Sequence, residues 1–447
     1  MTGTAAAKAL LLGTFDAETL WRDEVLAKLP AVPDPQSRRI VHAMDELLFL
    51  FCRKGDALLT RYRMDPAHVD YLRGLGFDFT TNEWNLDDHQ DSSGAFEPNV
   101  FKRLLASSSS QSIHQFLQEK YTIDAFAVLD GMDELCSRFA LQSRAPEMDT
   151  IRNVNSKLYS TRLKDRLGLP NVSRIVTSHR ELQEIGEEML MTGPLLIKDT
   201  FGVSGKGNLL VQTEGVLERI ASYIAGQERQ GKAVLFILEP LLAKENDFSC
   251  QFYVDEDGDY RFISVQQVVN SDFAYQGSVS ASPAFLEKLE QAGYFRLMRE
   301  TARCLHESGY FGHVCVDSME LKDGSLVPIV EINARKSMSL IKNQLDRYLA
   351  ERSLTGNLTY LSLVCPGELP FVHLLAALER EHLLYRPERD GGVFPLSANT
   401  FGVNQREGKR SKARLYVSVV ADDAAKRSRL DAQFKQLIAS LGIVLSN

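Results

Sequence analysis

Two hairpin patterns in the middle of the chain constrain its fold more than any other feature. Residues 248–254 and 260–269 are strand-like runs separated by Asp255-Glu256-Asp257-Gly258-Asp259. Residues 312–321 and 326–333 are separated by Lys322-Asp323-Gly324-Ser325. A polar turn containing Asp-Gly or Gly-Asp between apolar runs is a strong local signal for antiparallel pairing. A helical stretch, 283–308, lies between the two hairpins.

The rest of the chain reads around this centre. Residues 1–150 mix helical and strand patterns, with strand-like apolar runs at 45–52 and 125–131. Strands alternating with helices indicate an α/β unit with a largely parallel sheet. Ser107 to Ser110 reads as a surface loop. A helix is expected over 154–167, stopped by Gly168-Leu169-Pro170. Strands are expected at 194–198, 233–239 and 416–420, and a closing helix at 424–441. No internal repeat is visible. The expected units are 1–150, 151–240, 241–345 and a mixed α/β segment, 346–447.

Composition narrows the function classes. The 447 residues carry a formal net charge of -8, which argues against a nucleic-acid partner. Six cysteines are scattered without a C-x-x-C spacing, so free thiols are expected rather than a disulfide framework or zinc site. The first residues run quickly into Asp16, Glu18 and Trp21, unlike a signal peptide. No window approaches the ~18 apolar residues of a membrane span. A cytoplasmic protein is expected, with a homodimer as the commonest default.

Chemistry gathers in three places. The first is the strand end Lys198, followed by Gly202, Val203, Ser204, Gly205, Lys206 and Gly207. Glycines let backbone N–H groups approach phosphate oxygens, and Lys198 would add a point charge. An ordinary glycine hairpin with an incidental lysine fits the same residues. Neither the Walker A pattern nor a dinucleotide-binding fingerprint is present, because strand follows the loop.

The second place is Glu331-Ile332-Asn333-Ala334-Arg335 with Asp317 on the partner strand. With side chains alternating at period two, Asp317, Glu331 and Asn333 can share one face. Hard oxygen ligands of this kind suit Mg²⁺ that is also held by substrate phosphates. The third place is Glu239-Pro240-Leu241-Leu242, which ends an apolar strand and can present backbone groups to an adenine ring, with Asp247 nearby for a ribose hydroxyl. Alone, an ordinary strand end explains it better. A polar stretch at 270–278 reads as either a substrate contact or a solvent loop. Lys409 to Arg414 reads as a solvated basic face, or as a contact for an acidic substrate or carrier protein. His313 reads as a packed strand histidine.

In order and spacing, residues 155–340 resemble the ATP-grasp superfamily, which includes D-alanine–D-alanine ligase, glutathione synthetase and biotin carboxylase. The resemblance implies ATP and Mg²⁺ as cofactors. It places Lys157 and Lys198 at the phosphates, Gly202 to Gly207 as the covering loop, and Glu239, Leu241 and Leu242 at adenine. It also places Asp247 at ribose, Asp317, Glu331 and Asn333 on the metal, and Arg335 beside the acyl phosphate. The implied activity is carboxylate activation as an acyl phosphate followed by attack of an amine, on an amino acid or peptide. A carrier-protein thiol as acceptor, and a non-catalytic ATP-binding module, are the other readings. Cys315 stands where D-alanine–D-alanine ligase has an arginine. The N-terminal unit ahead of the grasp is similar to that of the pheganomycin-type peptide ligases.

Overall fold

The computed structural model describes residues 7–89, 96–202, 207–271 and 274–446. Its strands form three sheets. The first is wholly parallel, with strands β1 (Ala9–Leu12), β2 (Ala57–Leu58), β3 (Thr80–Thr81) and β4 (Thr122–Ala125) in the order β3-β2-β1-β4. The second is antiparallel: β5 (Arg174–Val176), β6 (Leu195–Asp199), β7 (Asn208–Val211) and β8 (Phe236–Pro240), in the order β5-β8-β6-β7.

The third sheet has ten strands and carries both hairpins. They are β9 (Lys244–Val254), β10 (Tyr260–Ser271), β11 (Ala274–Ser280), β12 (Gly312–Leu321) and β13 (Leu326–Asn333), then β14 (Thr355–Gly356), β15 (Leu358–Cys365), β16 (Gly391–Pro395), β17 (Ser411–Ala421) and β18 (Val444–Leu445). The main path runs β13-β12-β9-β10-β11-β15-β17-β14. Strands of the C-terminal segment thus extend the same sheet that holds the hairpins.

Two apolar cores support these sheets. One runs continuously beneath the parallel and ten-stranded sheets. The other belongs to the four-stranded antiparallel sheet, which buries Ile197, Phe236 and Leu238 against Leu217 and Ile224 of the helix Glu214–Arg229. Ala27 and Leu29 of the N-terminal stretch are buried in this second core, and Leu26 pairs with Ala233.

Several expectations need correction. The run at 45–52 is not a strand but a 3-10 helix, Met44–Phe51. An apolar run of that length does not distinguish a buried strand from a buried helical turn. Its two acids settle the matter: Asp45 accepts the Arg61 N–H at 2.6 Å, and Glu46 accepts those of Ala398, Asn399 and Thr400 at 3.0–3.1 Å. The second run is a strand only up to Ala125. The serine patch is a turn as expected, with Ser109 exposed, but Ser107 and Ser108 are buried.

The helix expected at 154–167 begins later, at Lys157, and runs to Arg166, with a separate helix, Met148–Val154, ahead of it. Ser156 caps the Lys157–Arg166 helix by accepting the Leu158 N–H. The helix at 283–308 is two, Pro283–Gln291 and Tyr294–Glu307, parted by Gly293 at φ +71°. Part of 270–278 is hairpin backbone rather than loop, since β10 runs to Ser271 and β11 starts at Ala274. All six cysteines are free thiols. No helix among the described residues is long and apolar enough to cross a membrane.

Candidate active site

A cavity of about 290 Å³ opens between the four-stranded antiparallel sheet and the β9-β12-β13 face of the ten-stranded sheet. Lys157, Lys198, Gly202, Asp317, Glu331, Asn333 and Arg335 all line it. Glu239, Leu241, Leu242 and Asp247 border the same space. Residues separated by up to 178 positions in sequence, Lys157 to Arg335, therefore face one volume. Ser204, Gly205 and Lys206 lie outside the described residues.

Local folding explains each placement. Asp317 and Glu331 are direct partners in the β12–β13 ladder, and Cys315 pairs with Asn333. The register shifts between Asp317 and Met319, a bulge of the kind that re-aims side chains beside active sites. The helix Lys157–Arg166 docks on β13 through two buried contacts: Ser160 Oγ accepts the Ile332 N–H at 3.1 Å, and Asn155 Oδ1 accepts the Ala334 N–H at 2.8 Å. That docking brings Lys157 Nζ to 2.8 Å from Glu331 Oε1 and 3.2 Å from the Gly202 carbonyl.

Gly202 and Gly207 face each other where the glycine hairpin closes. A Cβ on Gly202 would lie 2.8 Å from Gly207 Cα, and one on Gly207 would lie 2.7 Å from Gly202 Cα. Any larger residue would pry the hairpin open, so this pair is needed for close backbone approach.

The electrostatics are strongly coupled. Lys198 and Lys164 both pair with the Glu239 carboxylate, which also accepts from Ser173 Oγ at 2.6 Å. Burial raises the Glu239 carboxyl, but the two lysines outweigh it and hold it at about 2. Across the cavity, burial and the facing charge of Glu331 push Asp317 up to about 7. Two carboxylates crowded in this way would gain from a cation between them. Among the described residues no cluster of three or more His, Cys, Asp or Glu is gathered for a metal. The donor set is two carboxylates and an amide, which fits Mg²⁺ only if phosphate oxygens and water complete its shell. Asn333 donates from Nδ2 to Asp317 at 2.9 Å, while its Oδ1 accepts from Arg335 at 3.0 Å. A ligand role for Asn333 therefore requires its amide to turn.

Comparison with known proteins agrees with this geometry. No family model matches the chain. Over 332 residues, 71% of this chain and 71% of the relative, it is 26% identical to the butirosin acyl-carrier protein–L-glutamate ligase of Niallia circulans. An ADP complex of N5-carboxyaminoimidazole ribonucleotide synthetase superposes with a TM-score of 0.54 at 12% identity, covering 99% of this chain and 100% of that one. Biotin carboxylase of Campylobacter jejuni superposes with a TM-score of 0.51 at 13% identity, covering 98% and 92%. The chain has the ATP-grasp fold.

Within this ATP-grasp protein, several site residues escape a sequence reading. Lys164 is seven residues, two helical turns, after Lys157 on the same helix, and that spacing was a usable signal. Glu18 and Arg22 carry no such signal. Glu18 is buried and forms a salt bridge with Arg335, while Arg22 Nε sits 3.0 Å from both oxygens of Asp199 at the end of β6. Arg335 is thus held by Glu18 and lies 5.4 Å from the Phe126 ring centroid, rather than projecting freely. Glu239 contributes its carboxylate to the lysines as well as a strand end beside Leu241. The basic run divides: Lys409, Arg410 and Lys412 are exposed, but Arg414 is stacked 4.2 Å over Tyr360. His313 packs edge-on against Tyr253, as a strand histidine does.

Proposed function

We propose that this ATP-grasp ligase phosphorylates the carboxylate of an amino acid with ATP and passes the acyl group to an amine. One observation carries the reading: two lysines, Gly202 of the glycine hairpin, two carboxylates and an arginine line a single cavity. Phosphoryl transfer needs positioning and charge neutralisation more than covalent help from the protein. Lys157 and Lys198 hold the phosphate oxygens, with Glu239 keeping Lys198 extended into the cavity. Leu241 and Leu242 bracket the adenine and Asp247 reaches the ribose. Asp317 and Glu331, with a turned Asn333, would hold Mg²⁺, which would supply charge neutralisation at the phosphates.

In the first step the substrate carboxylate oxygen attacks the γ-phosphorus. The bond from that phosphorus to the β–γ bridging oxygen breaks, and ADP leaves. In the second, the amine lone pair attacks the acyl carbon, the carbon–phosphate oxygen bond breaks, and phosphate leaves as the nitrogen loses a proton. Arg335 stabilises charge on the acyl phosphate. Gly202 to Gly207 cover the site against water.

A second reading is favoured by the Niallia circulans relative, whose name specifies an acyl-carrier protein and L-glutamate. In that case a carrier-protein thiol replaces the amine. The exposed Lys409, Arg410 and Lys412 would suit an acidic carrier. The six free thiols suit a reducing, cytoplasmic setting.

ADP release with an amino-acid panel, with and without hydroxylamine to trap acyl phosphate, tests the proposal. Amino-acid-dependent ADP and hydroxamate support it. ADP release only with a pantetheinylated carrier supports the thiol reading. Silence with every carboxylate, despite ATP binding, overturns both.

A further inference from the structure

A second cavity, of about 200 Å³, lies against the first and shares Arg335 with it. Its wall includes the carboxyl end of β4 and the segment that follows, from Ile123 to Val128. In the parallel sheet, β2 and β3 lie on one side of β1 and β4 on the other, so the order reverses between β1 and β4. The crevice outside the carboxyl ends of strands at such a switch point is the usual place for a ligand in an open parallel sheet.

The charged residues of its wall are Asp124, Arg144, Arg335 and Lys336, and Arg144 pairs with Glu256, which is not part of the wall, at 3.8 Å. Lys336 pairs with Asp124, and Glu18 with Arg335. Each of these last two pairs presents one member. The Asp124 side chain is 45% exposed, whereas Lys336 is 2% exposed and also donates to the Ala125 carbonyl. Of the five N–H donors of a guanidinium, Arg335 uses Nε and Nη2 on Glu18, Nη2 again on Asn333, and one Nη1 hydrogen on the Lys336 carbonyl. One Nη1 hydrogen has no partner among the described residues. His313, also on the wall, has a buried Nδ1 with no hydrogen-bond partner among the described residues. Asp124 as the exposed anion and the spare Arg335 N–H as a cationic donor complement a zwitterion. The volume of about 200 Å³ has room for a single residue.

We propose that this second cavity binds the activated substrate as a free α-amino acid, its carboxylate on Arg335 facing the nucleotide cavity and its ammonium group on Asp124. The inference rests on the ligase reading above. It narrows that reading to a single amino acid with an unblocked ammonium group.

The test is steady-state ADP release with L-glutamate, glutarate and L-alanyl-L-glutamate. The best of the other proteinogenic amino acids replaces L-glutamate if it is inactive, with its deamino and N-alanyl analogues. Wild type is expected to favour the free amino acid over its deamino analogue by about a hundredfold or more in kcat/KM. Asp124→Asn is expected to lose most of that preference, with KM for the amino acid raised by about tenfold or more and KM for ATP within about twofold. Because Asp124→Asn leaves Lys336 without its partner, Ala145→Phe provides an independent check by filling the cavity from the opposite loop. It too is expected to raise the amino-acid KM while leaving that for ATP unchanged. Equal use of the N-alanyl analogue, or an unchanged amino-acid KM in both variants, overturns the assignment. If ATP raises the melting temperature but no amino acid elicits ADP, the second cavity is wrongly assigned and nucleotide binding still stands. If ATP has no effect on the melt, the ligase reading itself fails.

Discussion

Replacing Glu239 by glutamine leaves Lys198 and Lys164 in a largely buried site without their carboxylate. The Lys198, Lys164 and Glu239 side chains are 9%, 7% and 16% exposed, so solvent screens the interaction weakly. The Glu239 carboxyl is held from its ordinary 4.5 down to about 2. At about 1.4 kcal/mol per pH unit, that corresponds to roughly 3 kcal/mol of stabilisation. Breaking a buried pair by removing one partner costs about 3–5 kcal/mol, which agrees. Glu239→Gln should therefore lose about 3 kcal/mol at pH 7, read as the urea midpoint of the antiparallel sheet by hydrogen exchange. Because the folded value is depressed, the contribution is fully present above pH 4.5 and is lost as pH falls through about 2. The gap between wild type and variant should thus shrink below about pH 4.5. Adding Lys198→Met to Glu239→Gln should recover part of the loss, since one stranded charge is removed. A single variant within about 0.5 kcal/mol of wild type at pH 7 would refute the reasoning.

Three other outcomes are expected. Glu331→Gln should lower kcat by about a hundredfold or more while a cooperative melt persists; near-normal turnover would remove Glu331 from the metal site. Gly202→Ala should raise KM for ATP by about tenfold, because its Cβ would meet Gly207 Cα at 2.8 Å; unchanged ATP kinetics would show that hairpin closure is dispensable. Glu18→Gln should lower kcat more than it changes either KM, because Arg335 loses the carboxylate that orients it, and steady-state kinetics read this directly.

The elements legible in the sequence were those fixed by local turn chemistry. The hairpins at 312–321 and 326–333 have the bounds expected, because Asp323-Gly324 sets the turn and alternation sets the face. The same alternation put Asp317 opposite Glu331. What could not be read came from long-range packing. The apolar run at 45–52 becomes a 3-10 helix because Asp45 and Glu46 find backbone partners at residues 61 and 398–400. Glu18 and Arg22 enter the site only because the loop after β1 passes beside Arg335 and Asp199, and no spacing in the sequence encodes that meeting. Lys164 lay between these cases, since its helical phase with Lys157 was visible but its partner Glu239 was not.

The stretch from Arg22 to Leu29 belongs to two bodies at once. It begins in the loop after β1, clasps Asp199, and then contributes Ala27 and Leu29 to the core of the antiparallel sheet. A cover built this way is not a free flap. Moving the antiparallel sheet away from the N-terminal unit would have to break the Arg22–Asp199 pair or unseat Ala27 and Leu29. Residues 151–240 expressed alone would leave the apolar seat of Ala27 and Leu29 bare.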